Sequence, residues 1–484
     1  MKTSVKVLVA AAIAAACSGP AMAYGPTVAP DFSFFVGGGS AQGGAFLAFA
    51  QSLMSADGNL DVYTDDAAAC GQGANYRAVF GTWKTTTGGI AAGKKVFIAY
   101  ANNGGTFKNG IDGVARAHNI DYAKFLGTGA SAHVAACTAA LGAGVPSPFT
   151  ATAQYAVSTT ATENHIPDAG LSDEEMGLFV GVNLPTTAPN APLTGADFTN
   201  TTRTPLYQNV FGVAINTRLS AALTTAFGNQ TITSAQVAAI LAGTYTDWSQ
   251  VCQINASSAQ VCLPGGPITF ISRSPGSGSK AAFNEYFLNN PGTTGFAGSS
   301  VPPVDQTGNQ GDCTNFSAGS YNICDQSSNG NVKKALNTAN TKNTRALGIL
   351  GLEFQPVATD AFTFANLDGV DIQGTTTKTC GNAFANAFEP ARVVNGDHKL
   401  YYTNSLNIRS KNVAGAHFQG DGSVNSAFMG AFSTAAANPV LEVSVPGVLL
   451  DPAVVGGPGG FPYDDCITKG THNGDSTGPL VNQF

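Results

Sequence analysis

Three times along this chain an apolar run of strand length ends in a glycine-bearing turn and passes directly into an apolar pattern of helical spacing. That repeated grammar does most to narrow the fold. The first instance is FSFFVGG, starting at Phe32, followed by GSAQGGAFLAFAQSLM, in which Phe46, Phe49 and Leu53 recur at helical spacing. The second is KVFIAYANNGGTFKNGIDGVARA, where Gly104-Gly105-Thr106 separates strand from helix. The third is ITFISRSPGSGSKAAFNEYFLNN, residues 268–290. Strand, turn and helix in alternation predict an α/β fold, whose ligands sit outside the carboxyl ends of the strands. Each turn also opens a helix, where backbone N–H groups and the positive end of the dipole favour an anion.

The third turn is the most informative. A Walker loop needs Gly-Lys followed by Ser or Thr, whereas here Ser279 precedes Lys280 and Ala281 follows it. A nucleophile elbow needs Gly two residues to either side of the Ser, which this stretch does not supply. Ser277 and Lys280 form S-x-x-K, but neither S-D-N nor K-T-G occurs in the chain. A binding turn remains: Ser277, Gly278 and Ser279 present hydroxyls and backbone N–H groups, and Arg273 brings a planar fork of donors suited to an oxyanion. Lys280, in the first helical turn, is disfavoured there by roughly 0.3–1 kcal/mol unless something negative lies nearby.

The remaining sequence places the chain outside the cytosol. Residues 1–23, MKTSVKVLVAAAIAAACSGPAMA, have Lys2 and Lys6 ahead of an apolar run and end in Ala21-Met22-Ala23, the pattern of a cleaved signal peptide, with Tyr24 as the mature N-terminus. Cys17 raises a lipoprotein alternative, but Ala14 stands where a lipobox has Leu. No later stretch is apolar for the ~18 residues a membrane span requires. Losing Lys2 and Lys6 moves the formal charge from −7 to −9, and losing Cys17 leaves eight of the nine cysteines. An even number in an exported chain predicts disulfides, with neighbour pairing giving Cys70–Cys137, Cys252–Cys262, Cys313–Cys324 and Cys380–Cys466. The six His are scattered and no C-x-x-C occurs, so neither a metal nor a cofactor is implied. An acidic chain without basic runs is unsuited to nucleic acid. Residues 231–250 read as a helix capped by Thr233 or Ser234 and stopped at Gly243. Residues 120–163 and 290–345, rich in Gly, Ser, Thr and Asn, are expected to be long loops.

At the Arg273 turn the residues resemble the phosphate-binding proteins of bacterial ABC transporters, of the type 2 periplasmic binding protein fold. The family signature Arg-Ser-Asp-Gly-Ser-Gly-Thr appears as Arg273-Ser274-Pro275-Gly276-Ser277-Gly278-Ser279, five of seven positions being identical. The family's first glycine-rich turn is similar to Gly37-Gly38-Gly39-Ser40-Ala41 and its second to Gly104-Gly105-Thr106. Its acidic loop Ser-Asp-Ala-Pro-Leu-Ser resembles Pro167-Asp168-Ala169-Gly170-Leu171-Ser172, while the helix at 231–250 and ALGILGLEF are similar to two further family segments. Pro275 departs from the pattern, standing where the family has an Asp that aims the Arg.

The resemblance implies an α/β, two-lobe type 2 periplasmic binding protein fold with two hinge crossovers: lobe one from 24–207, lobe two from 208–351, and lobe one again from 352–484. It implies a monomeric periplasmic or secreted protein that binds phosphate or a related oxyanion and passes it to an ABC permease. The expected ligand-binding residues are Ser40, Ala41, Gly105, Thr106, Asp168, Arg273, Ser277, Gly278 and Ser279. Two rivals differ in class. One is a secreted surface or structural protein that keeps the fold without transport; the other is a phosphatase-like hydrolase with Asp168 as nucleophile or base and His165 three residues before it. On the cysteine count, free-thiol labelling of the denatured, unreduced mature protein is expected to find none. Two or more reactive thiols would overturn the full pairing.

Overall fold

The computed structural model describes residues 23–65, 75–137, 153–185, 191–254, 258–292, 321–373, 390–445, 447–455, 466–471 and 481–482. The expected signal peptide lies outside these, apart from Ala23, as do Cys70, Cys313 and Cys380. Cys252 and Cys262 form a disulfide across a short antiparallel ribbon, and Cys137, Cys324 and Cys466 are each disulfide-bonded to partners outside the described residues.

The protein is α/β, built on a 14-stranded mixed sheet. Its principal strands, in chain order, are β1 (Phe32–Gly38), β2 (Lys95–Ala101), β3 (Ala169–Ser172), β4 (Thr201–Asn216), β5 (Thr269–Arg273), β6 (Asn322–Gln326), β7 (Ala346–Gly351) and β8 (Tyr401–Arg409). Across the sheet the order runs β6-β5-β7-β4-β8-β3-β1-β2, continued by Tyr76–Thr82, Asp61–Thr64, Ala153–Val157 and Val134–Ala136. β1 is parallel to β2 and to β3, and β5 is parallel to β6 and to β7. The strand between the two parallel groups, β4, is 16 residues long. It pairs antiparallel with β8 from Thr201 to Val210, then with β7 from Phe211 to Ile215.

Both faces of each half-sheet are covered, which is why its strands read as nearly continuous apolar runs. In β2, Val96, Ile98 and Tyr100 face one core and Phe97, Ala99 and Ala101 the other. In β7, Leu347 and Ile349 face one core while Ala346 and Leu350 face the other. Helix α1 (Gly43–Ser52) and helix α4 (Val424–Ala436) close one face of the first half through stacked aromatics, with Phe34 on Phe428 at 4.2 Å and Phe46 within 6.4 Å of Phe432. Helix α2 (Gly278–Leu288) and helix α3 (Asn329–Thr341) cover opposite faces of the second half. The expected helix near 231–250 is Ser234–Leu241, capped by Thr233 in a capping box with Gln236, and Gly243 follows with φ of +68°.

The two expected loops are corrected. Within 120–163, Ile120–Ala123 pairs with Thr162–His165, and Val134–Ala136 with Ala153–Val157, which also runs parallel to Asp61–Thr64. Within 290–345 lie β6 and α3. The strands are short, and a few apolar anchors suffice to hold them, such as Tyr155 stacked at 5.0 Å on Tyr63. In α3 the helical period is present as Val332, Ala335, Leu336 and Ala339, but two of these are alanines set among Asn, Lys and Thr.

Beneath the junction of the half-sheets two carboxyls lie fully buried. Asp451 accepts hydrogen bonds from Gln208 Nε2 at 2.6 Å, Thr403 Oγ1 at 2.7 Å and Thr471 Oγ1 at 3.0 Å. Glu442 has neither carboxylate oxygen hydrogen-bonded among the described residues, and burial, with the charge of Asp451, pushes its pKa up to about 8. A carboxyl whose folded pKa lies above its unfolded value stabilises the fold below the unfolded pKa, and that stability is lost as pH rises through the folded one. Glu442→Gln should therefore raise Tm at pH 9 by about 1 °C per kcal/mol relieved, with the difference closing by pH 5, as read by thermal denaturation at both pH values.

Candidate functional site

In parallel strands the carboxyl ends share one edge, and six such ends meet where the half-sheets join. From the first half, β1 ends at Gly38 and leads through Gly39 into a single 3-10 turn, Ser40–Gln42; β2 leads through Gly105 into a π-helical segment, Thr106–Asp112; and β3 ends directly before Asp173. From the second half, β5 ends at Arg273 ahead of the Ser277 N-cap of α2, β6 leads to Asn329 at the start of α3, and β7 leads to Glu353.

Arg273 stands at the centre, only 2% exposed. Its Nε donates to the Gln326 carbonyl at 3.1 Å, Nη1 to Ser279 Oγ at 3.2 Å and to Asn329 Oδ1, and Nη2 to Ser40 Oγ at 3.3 Å and the Ser327 carbonyl at 3.2 Å. Burial lowers its pKa to about 10 against the opposing pull of Asp173, Glu353 and Asp325, so the guanidinium remains charged at neutral pH. Among the described residues it forms no ion pair within 4.0 Å.

The second cluster is built around Asp173. Thr106 Oγ1 donates to Asp173 Oδ1 at 2.5 Å and accepts from the Gly278 N–H at 3.3 Å. A Cβ on Gly278 would lie 1.7 Å from Asp173 Oδ1, so the carboxylate rests against the first turn of α2, where the helix dipole favours it. Burial raises the Asp173 pKa, opposed by the Thr106 hydrogen bond and the charge of Arg273. Close backbone approach explains two further glycines. Gly105 has φ of +75°, and a Cβ there would meet the Gly276 carbonyl at 2.8 Å; one on Gly39 would meet Thr106 Oγ1 at 2.2 Å. Phe107 N–H donates to the Gly276 carbonyl at 2.9 Å, and Ser277 Oγ is buried without a hydrogen-bond partner among the described residues.

The structure thus gathers Ser40, Gly105, Thr106, Arg273, Ser277, Gly278 and Ser279, with Ala41 buried in the Ser40 turn. It separates Asp168 from them. Asp168 precedes β3 and Asp173 follows it, and five residues of extended chain set them roughly 16 Å apart, at opposite ends of that strand. Asp168 instead accepts from Phe35 N–H at 2.9 Å and Asn425 Nδ2 at 2.6 Å. It lies in a cleft of ≈330 Å³ lined by His165, Phe35, Arg409 and His417, with the His165 ring stacked at 3.6 Å on Phe35. The sequence reading also missed Gln42, Asn329 and Glu353. A signal for Asp173 was available, because Ser172-Asp173 is itself a Ser-Asp pair directly after an apolar run.

The comparisons with known proteins bear on the half that carries Arg273. Residues 188–369 match the PBP superfamily domain. The matched span runs from before β4 to beyond β7 and includes Arg273, Ser277, Asn329 and Glu353, so the resemblance read from the Arg273 turn falls inside the PBP superfamily domain. No curated protein matches the chain. Among solved structures, the chain is similar to a putative phosphate ABC transporter substrate-binding protein with bound phosphate from Clostridium perfringens, at 12% identity and TM-score 0.39, over 83% of this chain and 92% of that one. It is also similar to an ABC-type phosphate transport receptor from Vibrio cholerae, at 13% identity and TM-score 0.31, over 58% and 80% of the two chains. A possible phosphate binding protein from Planctomyces limnophilus aligns at 12% identity and TM-score 0.30, over 78% and 81%. Among the described residues no helix is long and apolar enough to cross a membrane, and no three His, Cys, Asp or Glu are grouped to hold a metal ion.

Thr106→Val keeps the shape of the side chain and removes both hydrogen bonds that join the Asp173 and Gly278 turns. Losing these two buried hydrogen bonds should destabilise the protein by about 1–3 kcal/mol, measured by chemical denaturation.

Proposed function

We propose that this chain is an exported solute-binding protein that takes phosphate or a related oxyanion between the turns ending β1, β2 and β3 and those ending β5, β6 and β7. The observation that carries this reading is Arg273: a charged guanidinium, 2% exposed, with no ion pair among the described residues, facing hydroxyls from both half-sheets. Burying a charge is costly unless an opposite charge meets it, and a bound anion supplies one. Ser277 Oγ and the N–H groups opening α2 add neutral donors, so an anion is held without a positive surface, in keeping with a chain of net charge −7.

The lobes on this reading are 24–207 with 352–484, and 208–351, joined at β4 and after β7, and closure between them buries the anion. The protein works as a monomer in the periplasm or at the cell exterior, and an ABC permease is the partner to which bound anion is delivered. Disulfide-bonded cysteines support an oxidising compartment.

Asp173 gives the site its choice of anion. A carboxylate beside an anion repels it unless the ligand carries a proton to donate. Phosphate near pH 7 keeps at least one O–H, which an ionised Asp173 accepts, whereas sulfate has none and would set lone pair against lone pair. Asp168, expected among the ligand-binding residues, does not fill this role, because of the two carboxylates flanking β3 only Asp173 reaches the Arg273 turn.

Calorimetry provides the test. Phosphate or arsenate should bind well ahead of sulfate. Arg273→Ala should weaken phosphate binding by about tenfold or more, since one hydrogen bond to a charged group contributes about 1.5–3 kcal/mol. Asp173→Asn should narrow the phosphate-to-sulfate gap, and Asp168→Asn should leave it unchanged. Equal affinity of the unmutated protein for sulfate and phosphate would sink the assignment.

A further inference from the structure

Arg273 is held without any carboxylate in direct contact, yet the negative charge of Glu353 reaches it by a route visible in the structure. Asn329, fully buried at the start of α3, accepts from Arg273 Nη1 through Oδ1 and donates from Nδ2 to Glu353 Oε1 at 2.9 Å. A guanidinium offers only donors, and a carboxyl keeps an acceptor oxygen in either protonation state. The Asn329 carboxamide therefore has one orientation that satisfies both neighbours. Turned over, it would point Nδ2–H at a guanidinium and an oxygen at a carboxylate, leaving two repulsive contacts in a buried site.

The fold makes room for this carboxylate specifically. Glu353 lies two residues past β7, and a Cβ on Gly351 would fall 2.0 Å from its Oε2. Oε2 is buried and takes no bond from another residue among those described, so the Glu353 hydrogen bond to another side chain runs through Oε1 to Asn329. Arg77, from the strand Tyr76–Thr82, Arg273, Asp173 and Tyr207 are the titratable groups within electrostatic reach of it. None of them replaces the Asn329 contact.

We propose that Glu353 is a positioning residue of the anion site: through Asn329 it fixes the direction in which the Arg273 guanidinium is presented to the ligand. The proposal rests on the anion reading above and adds to it a residue that need not touch the anion. It separates two effects that a charge count would merge. As a nearby negative charge, Glu353 weakens anion binding; as the acceptor that orients Asn329, it strengthens it. Glutamine keeps the acceptor and removes the charge, while methionine keeps the volume and removes both.

Two readouts on the full mature chain decide the matter. The first needs no ligand: guanidinium nitrogen NMR signals of Arg273, identified by their loss in Arg273→Lys, report how freely the group rotates. Wild type and Glu353→Gln should show hindered rotation, and Glu353→Met and Asn329→Leu fast rotation. The second is calorimetry with inorganic phosphate. Glu353→Gln should bind as tightly as wild type or more so, Glu353→Met about tenfold more weakly, and Glu353→Met should cost nothing further when added to Asn329→Leu, the signature of residues acting as one unit. Equal behaviour of the Gln and Met variants in both readouts would overturn the proposal, because charge or bulk would then account for everything. If the wild type binds no phosphate, the anion reading fails, and the rotation of Arg273 still decides the role of Glu353. Thermal denaturation of each variant separates loss of fold from loss of orientation.

Discussion

The change of partner along β4, from β8 up to Val210 to β7 from Phe211 onward, is the pairing on which the rest of the molecule depends. One strand belongs to two half-sheets, so their edges are brought together by backbone hydrogen bonds and not by a linker. Within each half the site strands run parallel, and parallel strands place all their carboxyl ends on one edge. Six turns from distant parts of the sequence thereby converge, and Arg273 meets Ser40 across 233 residues of chain.

Convergence of this kind sets a difficult electrostatic condition. A guanidinium and two carboxyls, those of Arg273, Asp173 and Glu353, lie close together and partly or wholly out of water, and burial shifts each toward its neutral form: Arg273 down to about 10, Glu353 up to about 7, Asp173 upward. The pull of Asp173, Glu353 and Asp325 keeps the arginine charged, while a shell of carbonyls, hydroxyls and one carboxamide accepts from its N–H groups. Neutral acceptors satisfy the hydrogen-bonding capacity of the group without cancelling its charge. A guanidinium sealed by a direct salt bridge would have less to offer a ligand. The glycines serve the same end, since Gly39, Gly105 and Gly278 each stand where a methyl group would push a polar atom out of reach.

Much of this was legible in the sequence because local chemistry and global fold agree. The three strand–turn–helix units, the Thr233 cap and the Arg273 turn were readable from spacing alone, since apolar runs covered on both faces and hydroxyl-bearing helix starts leave strong marks. Asp168 was misplaced for a reason that spacing cannot reveal: the two carboxylates lie five residues apart, and only the course of β3 decides which of them faces Arg273. The strands near 120–165 and the helix α3 were hidden by composition, because short strands and alanine-faced helices need few large apolar residues. Asn329 and Glu353 carried no local signal at all. Their meaning arises from parallel pairing of β5 with β6 and β7, a contact between segments separated by some fifty residues or more.

The continuity of β4 also has a mechanical meaning. Two bodies tied by a flexible tether turn freely about it, whereas two bodies that share an unbroken strand turn only by twisting and bending that strand. The register shift between Pro205 and Gln208, where the ladder to β8 is interrupted, is the compliant point in an otherwise hydrogen-bonded rod. Such a joint acts as a leaf spring and not as a pin. Any rotation of one half against the other is resisted elastically, and the restoring torque passes sideways through the paired strands, by β8 to β3 and the Asp173 turn on one side and by β7 to β5 and the Arg273 turn on the other.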